Sequence, residues 1–406
     1  MQKFQQHLLA SLFILTGALA APVMAKGTPE LSDRTFKTVN KVQELIATEK
    51  YNQAIDKLES ALERTKSKKY DRAVLLQQMG FLYSMQDNYG KASQFFAKSL
   101  AEDALPVPVA QQVRYSLAQL YLAEEQFQQS VTTMKRWFEI AKTTEEKPSA
   151  HAYITLASGY VQMENYKNAI PPVKQAIAMS PAPSESWYML LMASHYELKQ
   201  FKSVAGVLKT LTSKYPHKKR YWMQLSGVYM ELNQERNSLA TLESAYKLGL
   251  FDEEKEFLRL ANFQAYRGIP YRAAKTLEQE MANGNISNTV KHWNKLASFW
   301  QQAKELDRAI TAYRSAYQQE PTANTQLKIA RLMLQAQQYG QATEFALQPA
   351  PGAESGDKAE LAYLRGMAHF ELNQLGRALK AMKVAAQSED MKGAAGPWVT
   401  FLQDQG

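Results

Sequence analysis

The chain of 406 residues contains no cysteine. That excludes thiolate zinc sites, iron–sulfur clusters, disulfides, a cysteine nucleophile and a lipid carried on an N-terminal thiol. Histidine is nearly as scarce. The six are His7, His151, His195, His217, His292 and His369, and no two are spaced i, i+4 as a helical metal pair requires. The 18 glycines and 15 prolines are scattered. They form no phosphate-cradling loop, no nucleophile elbow and no dinucleotide-binding turn. Asn285-Ile286-Ser287 has the form of a glycosylation acceptor, a three-residue pattern that recurs by chance. No catalytic residue, metal or cofactor is expected, and the chain reads as a non-enzyme.

What is present begins with a targeting segment. Lys3 is the one formal charge in residues 1–25, and an apolar stretch of about 14 residues opens at Leu8. That stretch is short of the roughly 20 residues needed to span a bilayer. Pro22 breaks it, and Val23-Met24-Ala25 places small residues at −3 and −1 of a cut; Ala18-Leu19-Ala20 offers a second cut. The layout is that of a cleavable secretory signal, the alternative being an uncleaved anchor. Loss of Lys3 lowers the formal charge from +9 to +8. No later stretch approaches 18 apolar residues, so no membrane span is expected after cleavage. Export without disulfides fits the periplasm.

The remainder is one pattern repeated. From Val290 it reads Trp293, Leu296, Ala297, Trp300, Ala309, Tyr313, Ala316 and Pro321. A small residue recurs at Ala54, Ala92, Ser130, Ala169, Val204, Ser238, Ala273, Ala309, Ala342 and Ala378, at intervals of 38, 38, 39, 35, 34, 35, 36, 33 and 36. The surplus falls between copies, at Pro- and charge-bearing stretches such as Ala101–Pro106. The fifth copy is read through Ala193, Tyr196, Val204, Leu208 and Leu211.

This pattern resembles the tetratricopeptide (TPR) family, whose 34-residue unit is a pair of antiparallel helices. The resemblance implies an all-α solenoid of about ten helix hairpins winding as a right-handed superhelix over residues 35–390. It implies small side chains at slots 8 and 20 where the helices touch, and large ones at slots 4, 7, 11 and 24 around that contact. Residues 26–34 are expected to be a flexible N-terminus. Gln348-Pro349-Ala350-Pro351-Gly352 opens an expected hinge over 348–357. Residues 391–406 are expected to cap the array, with Gly393–Pro397 as a loop and Trp398, Phe401 and Leu402 covering the last apolar face.

TPR ligands usually meet slots 2, 5, 9, 12 and 13 of the first helix. Those slots assign to the groove Tyr115, Gln119, His151, Gln162, Trp187, Ser194, Glu197, Arg220, Glu231, Asn262, Tyr266, Asn294 and Arg331. An amide-rich surface with a few aromatics suits an extended peptide of a protein partner. Tyr115 and Trp187 are the natural anchors, unless Trp187 packs beneath neighbouring helices. A carboxylate clamp needs Lys at slot 5 and Asn at slot 9 of one copy; Leu258 precedes Asn262, so the clamp is broken.

Two basic clusters fall at junctions: Arg64, Lys66, Lys68, Lys69 and Arg72, then Lys214, His217, Lys218, Lys219 and Arg220. They are either contacts for anionic envelope polymers such as peptidoglycan or lipopolysaccharide, or solvated loops. Nucleic acid is not an expected partner of an exported chain lacking stacking platforms. The layout of signal, cysteine-free array and Trp398-bearing tail also resembles an exported TPR group that accompanies TonB–ExbB–ExbD systems. That resemblance implies TonB, ExbB or ExbD as partners, in a scaffold that couples energy to outer-membrane transport.

Overall fold

The computed structural model describes residues 29–145, 147–348 and 351–405. The signal segment 1–25 with both its cuts, and Pro349 and Ala350 of the hinge stretch, lie outside the described residues. Among the described residues there are 21 α-helices and no strand. The chain divides into two compact units, one ending at Tyr215 and one starting at Pro216.

Unit 1 holds five hairpins: α1 (Asp33–Ala47) with α2 (Tyr51–Arg64), α3 (Lys69–Met85) with α4 (Tyr89–Ala101), α5 (Val107–Ala123) with α6 (Phe127–Ala141), α7 (Ala150–Gln162) with α8 (Tyr166–Met179), and α9 (Glu185–Glu197) with α10 (Phe201–Lys214). Unit 2 holds five more: α11 (Lys219–Glu231) with α12 (Glu235–Lys247), α13 (Glu254–Tyr266) with α14 (Pro270–Ala282), α15 (Val290–Gln302) with α16 (Leu306–Gln319), α17 (Ala323–Gln335) with α18 (Tyr339–Phe345), and α19 (Ser355–Glu371) with α20 (Leu375–Ala385). Helix α21 (Glu389–Asp404) closes unit 2. Within unit 1, α1 touches α3, α5 touches α7 and α7 touches α9. The second helices have no comparable contact with one another. The first helices therefore crowd the inner side of the row, and the second helices splay on the outer side.

Every hairpin turns in the same way. One residue between its helices takes a left-handed conformation: Glu49, Asp87, Glu125, Glu164, Lys199, Asn233, Gly268, Lys304, Gln337 and Asn373. At the second hairpin, Asn88 N donates to Tyr83 O at 2.9 Å and Asp87 N donates to Ser84 O at 3.1 Å. This is the Schellman closure of a helix C-terminus. The small residue at slot 20 follows five positions later each time, as Ala92 follows Asp87 and Ala309 follows Lys304. Turn and contact are thus locked in phase. Nine of the ten turns place a residue with a Cβ where glycine is favoured, at roughly 1 kcal/mol each.

The close approach of the two helices is visible atom by atom. A Cβ on Gly80 at slot 8 would stand 2.5 Å from the Phe96 ring at slot 24. Where slot 20 is serine, its hydroxyl donates to the slot-8 carbonyl: Ser130 Oγ to Ala118 O at 2.7 Å, and Ser238 Oγ to Ser226 O at 2.8 Å. The hydroxyl fits the alanine-sized gap and stays hydrogen-bonded. Two histidines replace the slot-11 aromatic. His195 Nδ1 donates to Gln200 Oε1 at 2.6 Å and His369 Nδ1 to Gln374 Oε1 at 2.8 Å, so both rings serve the turn. Within the third hairpin, Gln111 and Trp137 exchange side-chain-to-carbonyl bonds of 2.8 and 3.0 Å across the two helices. Asp71, buried in α3, accepts from Ser32 N and Ser32 Oγ and so caps α1 from its neighbour.

The C-terminal stretch corrects an expectation. Gly393–Pro397 is helical, inside α21. Pro397 removes only the bond to the Gly393 carbonyl, and Gly393 is exposed to solvent. The helix is held by Leu402, buried beneath it, and by Trp398, whose ring lies 5.0 Å from Phe370 and 5.9 Å from Phe401.

Two substitutions test the turn and the contact separately by chemical denaturation. Lys304→Gly relieves a left-handed backbone on an exposed side chain and is expected to stabilise unit 2 by about 1 kcal/mol. Gly80→Ala forces a methyl into Phe96 and is expected to cost about 1–3 kcal/mol. A destabilising Lys304→Gly, or a neutral or stabilising Gly80→Ala, would refute this reading of the hairpin.

Candidate functional site

The inner faces of the first helices are the surface on which ligand slots converge, and each unit has its own. In unit 1, Tyr115 and Gln119 stand half-buried on α5. The Tyr115 hydroxyl lies 3.4 Å from Thr155 Oγ1 on α7, its ring 6.0 Å from Trp137, and burial pushes its phenol above the ordinary range. On α7, His151 is exposed and meets the Trp187 ring edge-on at 5.4 Å; Gln162 is half-buried at the helix end.

Helix α9 corrects the sequence register by one residue. The left-handed Lys199 places His195, not Tyr196, at slot 11. Trp187 and Ser194 therefore leave the ligand slots. Trp187 is 8% exposed, packed with Ile154, Val173 and Ala176. Ser194 is fully buried, its hydroxyl donating to Leu190 O at 2.8 Å. No ligand reaches either. The ligand slots pass to Ser186, Ala193 and Tyr196, while Glu197 keeps its exposed place. Tyr196, 55% exposed, takes the ligand slot that the sequence register gave to Glu197, and leans edge-on to Phe201 at 5.9 Å. The sequence held the signal. Slots 11 and 20 are nine apart at Tyr121/Ser130 and Tyr160/Ala169, but only eight apart when Tyr196 is paired with Val204.

In unit 2 the face carries more charge. Arg220 is exposed, with its guanidinium 4.6 Å over the Tyr221 ring and donating to the Tyr221 hydroxyl at 2.6 Å. Glu231 is exposed at the end of α11. Lys295 on α15 donates to Asn262 Oδ1 on α13 at 2.9 Å. Beside that pair Tyr266 is 70% exposed, its hydroxyl donating to Glu235 at 3.3 Å. Asn294 turns inward: Nδ2 donates to Val290 O of its own helix at 3.0 Å, and Oδ1 is buried without a partner. Arg331 is committed to Glu360, with Nε to Oε1 at 2.7 Å. The structure thus brings together Asn262, Lys295 and Tyr266 as one accessible group, and withdraws Asn294 from it.

Three members of the basic clusters are paired with acids. Lys66 pairs with Glu63 at 3.2 Å and Arg72 with Glu102 at 3.0 Å, while Lys68 and Lys69 are exposed at the start of α3. Lys219 binds Asp252 and Glu256, which hold its ammonium above the ordinary range and its partner Asp252 below. That pairing, with Lys255 on Glu253, offsets part of the charge of the acidic group Asp252, Glu253 and Glu256. Lys218 is half-buried beside it. A recess of about 370 Å³ on unit 2 is walled by Tyr246, Phe251 and Phe257 around Glu280. Its carboxylate accepts from Tyr246 Oη at 2.5 Å and Asn285 Nδ2 at 2.6 Å, so Asn285 is engaged in packing. Burial, then Glu280, push the Tyr246 phenol upward.

No protein-family model matches the chain, and no curated protein does. Among solved structures it is similar to YrrB, a TPR protein with an unusual peptide-binding site, at 15% identity over 47% of this chain and 91% of that one, with a TM-score of 0.37. It is similar to MamA AMB-1 at 17% identity over 44% of this chain and 92% of that one, TM-score 0.36. The Cut9–Hcn1 assembly of APC/C matches at 12% identity over 89% of this chain and 82% of that one, TM-score 0.27.

The register correction has a measurable consequence. Trp187→Ala is expected to cost about 3–5 kcal/mol of unit 1 stability by cavity formation, and Tyr196→Ala less than about 0.5 kcal/mol. Equal effects in denaturation would restore Trp187 to the surface.

Proposed function

We propose that the chain is a non-enzymatic TPR-type scaffold, exported to the periplasm, that binds an extended segment of a protein partner along its first-helix faces. The observation that carries this reading is Tyr266, 70% exposed on α13 beside the Asn262–Lys295 pair. A large ring with few rotatable bonds held clear of the core is what an interface anchor requires. The amide and ammonium next to it satisfy peptide carbonyls and a carboxylate. Among the described residues no helix is long and apolar enough to cross a membrane. The partner we favour is a protein of a TonB–ExbB–ExbD-type system, on the resemblance of signal, array and Trp398-bearing tail.

A photo-crosslinking residue at Gln301, exposed on α15, tests the reading in native cells. The expected result is a crosslink to an envelope protein of such a system, reduced at least fivefold by Tyr266→Ala. Expected too is a mature N-terminus at Lys26 or Ala21. Crosslinks to cytoplasmic proteins alone, or a yield indifferent to Tyr266→Ala, would overturn it.

A further inference from the structure

The outer side of unit 1 carries a charge pattern that the groove does not use. Four of its five second helices, α4, α6, α8 and α10, contain nine lysines or arginines and a single acid, Glu139, whereas α2 carries two bases and three acids. All nine are exposed, and Glu139 is paired with Lys142 at 2.8 Å. The bias is weaker in unit 2, whose second helices α12, α14, α16, α18 and α20 carry nine bases and six acids, the three bases of α20 standing without an acid. The bases of unit 1 are also in register. Lys98, Lys135, Lys174 and Lys209 occupy slots 25 and 26 of successive hairpins. Lys91, Lys167 and Lys202 occupy slots 18 and 19, seven residues earlier on their helices. Seven helical residues rise about 10 Å on one face, so two parallel basic rows cross the splayed helices.

The second row has one gap, at α6, where Gln128 takes slot 18. At that gap lies a recess of about 390 Å³, lined by Gln128, Thr132, Lys135, Tyr160, Asn165 and Asn168. Its volume is in the range of small-ligand sites. It adjoins an unusual stretch of backbone. Pro171 and Pro172 lie inside α8 and cannot donate the helical bonds to the carbonyls of Lys167 and Asn168. The recess gathers three side-chain amides, the Thr132 hydroxyl, one ring and one ammonium, with Val131 and Met163 as its apolar wall, between two rows of positive charge.

We propose that this outer face of unit 1 binds a linear acidic polysaccharide, with the basic rows on its carboxylates or phosphates and one sugar unit seated in the recess. Charge complementarity selects a polyanion. Hydroxyl-rich units match the amides and the Thr132 hydroxyl, and the Tyr160 ring offers a face for a sugar to lie against. A lipid surface fits less well. A plane does not enter the recess, and Met179 is the one large apolar side chain of these four helices that stands exposed.

The test uses the full chain and four probes: polygalacturonate, uncharged dextran, polyaspartate, and phosphatidylcholine–phosphatidylglycerol vesicles. Polygalacturonate is expected to bind at low salt, to weaken as salt rises, and to bind more tightly than the other three. Lys98→Gln with Lys174→Gln is expected to weaken it roughly tenfold or more. Asn165→Ala with Asn168→Ala is expected to weaken polygalacturonate at least threefold and leave polyaspartate unchanged. Lys275→Gln on α14 is expected to change nothing. Circular dichroism checks that each variant is folded, and the exposed lysine pair stands as the test if the asparagine pair is not. The proposal is overturned if polygalacturonate fails to bind, if vesicles or polyaspartate bind as tightly, or if the asparagine pair weakens both polymers alike.

Discussion

The structure depends on one contact: the close approach of two helices across a slot too small for a large side chain. Ala, Ser or Gly at slots 8 and 20 permits it in eight of the ten hairpins, as Gly80 against Phe96 shows most tightly, while the first carries Val42 at slot 8 and the fifth Met192 and Val204. A left-handed residue five positions before slot 20 fixes where the chain reverses. Because both features recur in phase, each hairpin presents the same face to the next. A helix pair of this size cannot bury its apolar stripe alone, so neighbours do so for one another. The faces left over, inner and outer, are then free to carry function.

That division of labour explains which polar groups are structural. His195 and His369 secure turns, Asp71 caps a neighbouring helix, and Glu280 holds Tyr246 and Asn285. Lys219 ties α11 to Glu256 at the start of α13. In each case a buried or half-buried polar atom meets a partner, as burial demands. The groups least committed to packing stand on the surface. In unit 2 that is Tyr266 with Asn262 and Lys295. In unit 1 it is Tyr196 inside and the basic rows outside.

Much of this was legible in the sequence, and the rest was hidden for definite reasons. The spacing of small residues reproduces the spacing of the turns, since both follow from the same hairpin. The slip at α9 arose because Tyr196 resembles the usual slot-11 aromatic, while the residue in that slot is His195. The helix through Gly393–Pro397 was obscured because Gly and Pro break helices only where no packing repays them, and Trp398 and Leu402 supply that packing. The basic clusters stood out because their charges are adjacent in sequence, yet Arg72 and Lys219 are spent on acids 30 or more residues away. The lysine rows were invisible because their members are separated by whole repeats and align only once the hairpins stack.

Hydrogen exchange along the full chain, with and without a captured partner, addresses the central claim that inner faces recognise protein. The account expects added protection in α13 and α15, around Asn262, Tyr266 and Lys295, with α14 and α16 unchanged. Protection confined to the second helices, or none on α13 and α15, would contradict it.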